Sequence, residues 1–202
     1  MLDDLDQTLR ALLKKELPPE LISPQSGTPV TFSFIAPDAQ FPPSAVTLPV
    51  VDLFLYDVRE NRELRSNERP VQRQDNGPAT YQRWPVRVDC SYLITAWPGD
   101  ATSAQDEHRL LGEVMQALLR YTLLPADVLQ GSLQEQEPPP RAMSLQPGHL
   151  QSVGEFWQAL GGKPRAALHY TVTISVDALQ PDEAVPVVTE TKLNLKQLEQ
   201  KG

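Results

Sequence analysis

A single cysteine is the residue of this sequence best suited to covalent chemistry. Cys90 is the only thiol among the 202 residues, and Asp89 and His169 are its candidate partners for nucleophilic catalysis. However, Cys90 lies on the apolar face of a predicted strand, whereas Asp89 lies on the opposite face. Free cysteine is among the most often buried residue types. We therefore predict a structural role for Cys90, and a small cysteine-dependent hydrolase is a minor alternative.

No other motif has the spacing of a catalytic or ligand-binding site. His108, His149 and His169 lie far apart, and the sequence has no His-x-x-x-His or Cys-x-x-Cys pair. Gly161-Gly162-Lys163 is similar to the end of a phosphate loop, but it follows a predicted helix and Pro164 replaces the Ser or Thr. We expect a helix C-cap there. The sequence therefore predicts no catalytic residue, no cofactor and no metal, and does not indicate an enzyme.

An arginine-rich segment is the first candidate for a subunit interface. Glu60, Glu63 and Glu68 are interspersed in it and keep its net charge small. Its five arginines are Arg59, Arg62, Arg65, Arg69 and Arg73. Arginine is favoured at protein interfaces, but a long polar loop at 59–82 is also consistent with a solvated segment. Both interpretations remain open at this point.

A short alternating run near the C-terminus is the second candidate. It follows Pro181 and Pro186, and its alternating positions are Val187, Thr189, Thr191, Leu193 and Leu195. Such a run can form an extra edge strand of its own domain, or it can pair with another protein by strand addition. We place a core domain at residues 1–180 and a C-terminal extension at 181–202.

Hydrophobic periodicity predicts three main helices. The first ends at Pro18-Pro19. Its apolar positions are Leu2, Leu5, Leu9, Leu12 and Leu13. Ser103 can cap the second helix, with Asp106 at its third position. The third is a short amphipathic helix at Val153–Leu160, and we expect Trp157 to anchor it in the core.

Four segments have the alternation of strands: Val30–Ala36, Val51–Val58, Val86–Trp97 and Leu168–Val176. Val51–Val58 is apolar on both faces and predicts a central strand, with Val58 on the same face as Phe54. The last strand has a polar face, which either faces water or lines an interface or channel: His169, Thr171, Thr173 and Ser175. These elements predict an α+β fold, a single domain with a mixed, mainly antiparallel sheet flanked by helices.

Composition excludes some classes of partner. The formal net charge is −8, and nucleic-acid binding needs clustered Lys and Arg, so we expect no nucleic acid. We see no secretory signal and no apolar run long enough to span a bilayer, so we expect no membrane partner. One cysteine allows no internal disulfide, which is typical of a cytoplasmic protein.

Four ordered blocks together carry a family resemblance. The chain resembles the N-terminal domain of the cap, or tail-terminator, proteins of phage-tail-like contractile injection systems, over roughly residues 1–180. One departure is Ser66, where the family often has Asn. The matching residues are Leu53, Leu55, Tyr56, Val58, Glu60, Asn61, Leu64, Arg65, Val88, Tyr92, Leu93, Thr95, Ala96, Trp97, Leu110, Leu111, Gly112, Leu118, Phe156, Trp157, Ala159, Leu160, Gly161, Tyr170 and Val172.

The resemblance implies a structural protein that forms a homohexameric ring. Such a ring sits on the last layer of inner tube and sheath, ends their polymerisation and stabilises the particle. It implies assembly in the cytoplasm, followed by incorporation into the injection particle. Its partners are then other copies of itself, the tube protein and the sheath protein, with residues 187–195 as a sheath-binding strand. The alternative within this class is a bacteriophage tail terminator that joins tail to neck.

Overall fold

The computed structural model describes residues 1–65, 71–73, 79–81, 84–99, 103–145 and 153–177, with the backbone alone for Ser26, 71–73, 79–81 and Val153. The helices are α1 (Leu2–Glu16), α2 (Pro19–Ile22), α3 (Ala104–Leu119) and α4 (Val153–Ala159). The strands are β1 (Thr31–Ser33), β2 (Val50–Glu60), β3 (Val71–Arg73), β4 (Ala79–Tyr81), β5 (Val86–Trp97), β6 (Arg141–Ser144) and β7 (Leu168–Val176). Three 3-10 turns lie at Pro24–Ser26, Ala126–Val128 and Gly131–Leu133.

Five strands form one mixed sheet in the order β1-β2-β5-β7-β6. β1 runs parallel to β2, and the other neighbouring strands are antiparallel. Val50 pairs with Trp97 at one end of the β2–β5 ladder, and Glu60 pairs with Val88 at the other. Together with the flanking helices, this sheet confirms the predicted α+β class. None of the described helices is both long and apolar enough to cross a bilayer.

Helices α1 and α3 pack on one face of the sheet. Their leucines follow the helical period, so one stripe of each helix is apolar. Ser103 accepts a hydrogen bond from the Asp106 N–H at 3.2 Å, which confirms the predicted N-cap. The buried helix side chains on this face are Leu5, Leu9, Leu12, Leu13, Leu110, Leu111, Val114 and Leu118. They meet a strand face formed by Val51, Leu53, Cys90, Tyr92, Ile94, Ala96, Leu168, Tyr170, Val172 and Ile174.

Helix α4 covers part of the opposite face of the sheet. Its Phe156 ring lies 6.4 Å from Phe54 and 6.1 Å from Tyr56, both on β2. Trp157 is 1% exposed, so the predicted burial of this ring is confirmed. A helix of seven residues is too short to persist by itself, so its position depends on these aromatic contacts.

Two glycines end α4 in the predicted way. Gly161 has φ +68° and donates to the Gln158 carbonyl at 3.0 Å. Gly162 donates to the Trp157 carbonyl at 3.1 Å. This pair of bonds is the Schellman motif, which needs a left-handed residue at the first position after the cap. The triplet is therefore a helix C-cap and not a phosphate loop.

The structure corrects three details of the strand predictions. β1 covers only Thr31–Ser33, a shorter strand than expected. The register of the β2–β5 ladder shifts between Leu55 and Asp57, which places Val58 opposite Cys90 and not on the face of Phe54. A β-bulge changes the side of every later residue, and alternation in sequence alone does not reveal it. The half of β2 beyond the bulge is also more exposed than a central strand would be.

The polar segment after β2 is not simply a loop. β3 and β4 pair as an antiparallel hairpin, with Val71 opposite Tyr81 and Arg73 opposite Ala79. This hairpin lies in the smaller of the two units into which the chain divides, and residues 1–65 and 86–176 form the main one. The predicted domain boundary at residue 180 lies outside the described residues and stays a prediction.

Candidate assembly surfaces

The first three arginines of the interface candidate lie at the end of β2 and in the turn after it. Arg59 donates to Asp57 at 2.6 Å, and Arg65 lies 3.6 Å from Glu60. Within the described part of the chain, Arg62 has no ion-pair partner, and its side chain is exposed. Exposed pairs of this kind contribute little to stability. Arg62 is therefore the arginine of this turn most available to another molecule.

Other candidate residues lie beyond what the structure describes. The side chains of Arg69 and Arg73 are among them, as is the whole alternating run of Val187, Thr189, Thr191, Leu193 and Leu195. Their roles in an interface and in sheath binding stay predictions.

Asn61 holds the arginine-bearing turn on the sheet. Its N–H donates to the Arg87 carbonyl at 2.8 Å, and its side-chain oxygen accepts from the Leu64 N–H at 3.1 Å. Its amide nitrogen donates to both carboxylate oxygens of Asp89, at 3.2 and 2.9 Å. Sequence reasoning assigned Asn61 no role of its own, because Asp89 is 28 residues away. An Asn directly after a strand and before a turn was the available local signal.

Asp89 links this turn to a buried polar cluster on β5 and β7. Thr173 donates to Asp89 at 2.6 Å, and Arg87 donates to the Ser175 hydroxyl at 2.6 Å. Arg87 also donates to the Pro138 carbonyl at 3.4 Å, and burial lowers the pKa of its guanidinium. Removing one of these side chains would leave a buried charge or donor without a partner, which is costly. The hydrogen bonds of the cluster therefore hold the turn in one position on the sheet.

The polar face of β7 is mostly not a water-facing surface. Thr173 is 1% exposed and Ser175 is 8% exposed. His169 and Thr171 are half-buried, with His169 Nδ1 3.4 Å from the Tyr56 hydroxyl and Thr171 3.2 Å from the Ser91 hydroxyl. These side chains therefore bond to other residues of the same chain.

Cys90 and His169 cannot form a catalytic pair. Cys90 pairs with Val172 on the face that α1 and α3 cover, whereas His169 pairs with Leu93 on the opposite face. The thiol is 0% exposed, and burial raises its pKa to about 12. Burial also lowers the pKa of His169. A thiol of this kind is inert, so the minor alternative of a hydrolase built on these two residues is wrong.

A cleft lies at the other end of the β2–β5 ladder. Its volume is about 430 Å³, and Pro49 and Pro98 line it where β2 begins and β5 ends. Leu21, Val30 and Leu110 contribute apolar wall. Three carboxylates and one cation also line it: Glu20, Asp106, Glu113 and Arg109. Arg109 pairs with Asp106 at 3.1 Å, and Glu20 and Glu113 have no ion-pair partner among the described residues. The cleft therefore offers two free carboxylates beside an apolar surface.

Arg165 fixes the α3 wall of this cleft to the sheet. Its guanidinium lies 3.4 Å from the centroid of the Trp97 ring and donates to the Ala96 carbonyl at 3.1 Å. It also lies 3.5 Å from Glu107 of α3, and both side chains are mostly buried. Stacking on an aromatic ring with a partly desolvated ion pair is a stable arrangement for arginine. The cleft is thus preformed.

Metal chemistry has no support in the described part of the chain. No group of three or more His, Cys, Asp or Glu side chains there is arranged to hold an ion. The features that remain are surfaces: an arginine-bearing turn at one end of the ladder and an acidic cleft at the other.

Comparison with known families decides what this fold is. The family model described as the Pvc16 N-terminal domain matches residues 4–190, nearly the whole chain. The chain belongs to the Pvc16 N-terminal domain family. The expected family resemblance is therefore confirmed. No curated protein sequence matches the chain.

Two solved structures share this Pvc16 N-terminal domain fold. One is the sheath/tube terminator of the extracellular contractile injection system PVC in its extended state, with 24% identity and a TM-score of 0.70. The match covers 100% of this chain and 65% of the terminator, so the chain spans about two thirds of that protein's length. The other is the tube-terminating cap of the anti-feeding prophage, with 24% identity and a TM-score of 0.65 over 96% of this chain and 62% of the cap.

Proposed function

We propose that this protein is a structural cap of a contractile injection system, a terminator that ends growth of the tube and sheath. The observation that carries this proposal is the fold match along the full chain to a sheath/tube terminator. Family membership over residues 4–190 supports it independently of any single structure. The role requires binding and no catalysis, which agrees with the burial of Cys90.

The proposed assembly is a homohexameric ring on the last layer of tube and sheath. A ring of identical subunits needs two different patches on each copy, because a self-complementary patch closes as a dimer. The arginine-bearing turn and the acidic cleft are two such patches, at opposite ends of the β2–β5 ladder. The ring's partners are the tube and sheath proteins, and the formal charge of −8 disfavours nucleic acid.

The first prediction concerns the oligomer itself. Light scattering of the purified protein at rising concentration is expected to show a species near six times 22.5 kDa. Added to tubes and sheaths assembled without it, the protein should bind their ends and stop elongation, as seen by electron microscopy. A protein that stays monomeric at every concentration and does not bind tube or sheath ends would contradict the proposal.

The second prediction concerns the C-terminal extension, which we propose binds the sheath by strand addition. An unpaired strand edge on the last sheath layer would otherwise recruit another ring, and a strand supplied by the cap would occupy it. Deleting residues 183–202 is expected to leave the melting temperature nearly unchanged and to give overlong or frayed sheaths. Normal sheath lengths with the truncated protein incorporated would exclude this role. A large loss of thermal stability would instead assign the strand to its own domain.

A further inference from the structure

Four consecutive exposed residues follow Asn61 in the arginine-bearing turn: Arg62, Glu63, Leu64 and Arg65. Asp57 and Glu60 already neutralise the neighbouring Arg59 and Arg65. Arg62 and Glu63 have no ion-pair partner among the described residues, and Leu64 is 43% exposed. Arginine is enriched at protein interfaces, and the exposed leucine beside it adds apolar area to the same turn.

The cleft at the other end of the ladder carries the complementary groups. Glu113 and Glu20 can accept from an arginine, Arg109 can pair with a glutamate, and the partly exposed Leu21 offers apolar surface beside them. Pairing of an arginine with a carboxylate next to an apolar contact favours both specificity and orientation. The cleft carries both carboxylates and a cation beside apolar surface. It therefore matches a turn that has an arginine, a glutamate and a leucine better than it matches a purely apolar or a uniformly basic segment.

The positions of the two surfaces suit a head-to-tail contact. The turn follows Glu60 of β2, and the cleft lies beside Pro49, where β2 begins. An 11-residue strand spans roughly 35 Å, so one copy cannot bring its own turn to its own cleft. Asn61 and Arg165 hold the two surfaces rigid, which limits the entropy lost on association.

We propose that the Arg62–Leu64 turn of one copy docks in the acidic cleft of the next copy. This contact rests on the proposed ring and names its subunit interface. Arg62 pairs with Glu113 or Glu20, Glu63 pairs with Arg109, and Leu64 covers Leu21. The contact is heterologous, so it repeats from copy to copy until the ring closes.

The third prediction is a complementation between two charge reversals. Arg62→Glu places two like charges in the contact, and Glu113→Arg does the same from the other side. Each variant alone is expected to assemble at least about tenfold more weakly than wild type. Like charges that face each other in an interface weaken binding by more than a factor of ten in the dissociation constant. Mixed in equal amounts, the two variants should recover assembly, since an alternating ring has only attractive contacts. Sedimentation velocity measures each species.

Matched controls separate this contact from a general charge effect. Lys163→Glu and Glu135→Arg each reverse an exposed charge that lies outside both the turn and the cleft. Both variants are expected to assemble like wild type. Circular dichroism and melting temperature check that every variant is folded. As a second readout, a chain with Arg62→Cys and Glu113→Cys, treated with a short bis-maleimide, should give a ladder of cross-linked oligomers, because the buried Cys90 does not compete.

The outcomes distinguish this contact from the function on which it rests. Wild-type rings together with charge-reversal variants that also form rings would overturn the contact and leave the cap function standing. Absence of the cross-linked ladder from rings of the cysteine variant would do the same. A wild-type protein that neither forms rings nor binds tube or sheath ends would overturn both.

Discussion

Replacing Trp157 with alanine is expected to lower the free energy of unfolding by about 3–5 kcal/mol. The ring is 1% exposed, and it packs edge-on against Phe156 with centroids 6.0 Å apart. The second glycine after α4 makes room for it, since a Cβ at Gly162 would lie 3.2 Å from the Trp157 ring. Loss of the ring leaves a cavity under a helix that is too short to hold its place alone. Denaturant unfolding monitored by circular dichroism measures the effect.

Two companion variants test whether the loss of stability comes from the buried Trp157 ring. Trp157→Phe keeps most of the apolar surface and removes an indole N–H that is buried without a hydrogen-bond partner, so its cost should be clearly smaller than that of alanine. Phe156→Ala should also cost less, because Phe156 is half-buried. A Trp157→Ala cost under about 1 kcal/mol would show that the ring is not part of the core in solution.

The contribution of Asp52 to the stability of the protein is expected to fall as pH rises from about 4 to about 7, because Asp52 is a buried carboxyl. Asp52 is 0% exposed on β2, and burial raises its pKa from 3.8 to about 7. One oxygen accepts from the Ile35 N–H at 3.2 Å, and the other has no hydrogen-bond partner. A hydrogen bond from the Ser33 side chain to Asp52 partly offsets the rise that burial causes in the pKa of this carboxyl.

The sign follows from proton binding. The folded-state pKa lies above the unfolded one, so between the two values the folded protein binds more protons. The stabilisation is therefore complete below about pH 4 and is lost as pH rises through about 7. A shift of about three pKa units corresponds to about 4 kcal/mol. Relative to wild type, Asp52→Asn should gain about this amount in unfolding free energy between pH 4 and pH 8, measured by urea unfolding at each pH.

An exposed carboxylate is the matched control for Asp52. Lys15 donates to Asp127 at 2.6 Å and lowers the pKa of that carboxyl. The contribution of Asp127 is present above its unfolded pKa and is lost as pH falls through the lower folded pKa. The difference in unfolding free energy between Asp127→Asn and wild type should therefore stay constant from pH 4 to pH 8, unlike that of Asp52→Asn. If Asp52→Asn shows the same pH profile as wild type, the carboxyl of Asp52 is not neutral in the folded protein.

Much of the local structure was predictable from neighbouring residues. The leucine spacing of α1, the cap at Ser103 and the glycine stop after α4 each depend on residues within a few positions of one another. Val86–Trp97 was predicted with its observed bounds, because its alternation is uninterrupted. The sequence also has no His-x-x-x-His or Cys-x-x-Cys pair, which favours a role in binding through a surface.

The surfaces themselves depended on contacts between distant residues. Thr173 and Asp89 are 84 residues apart, and the cleft combines α2, α3 and the ends of three strands. The bulge at β2 moved Val58 to the other face, which periodicity could not indicate. Neighbouring residues were enough to predict the main helices, the long strands, most of their apolar faces and the family resemblance, because helix caps and periodic burial depend on residues close together in the chain. Which polar groups are buried together, and which remain free for a partner, depends on which strands become neighbours in the folded sheet.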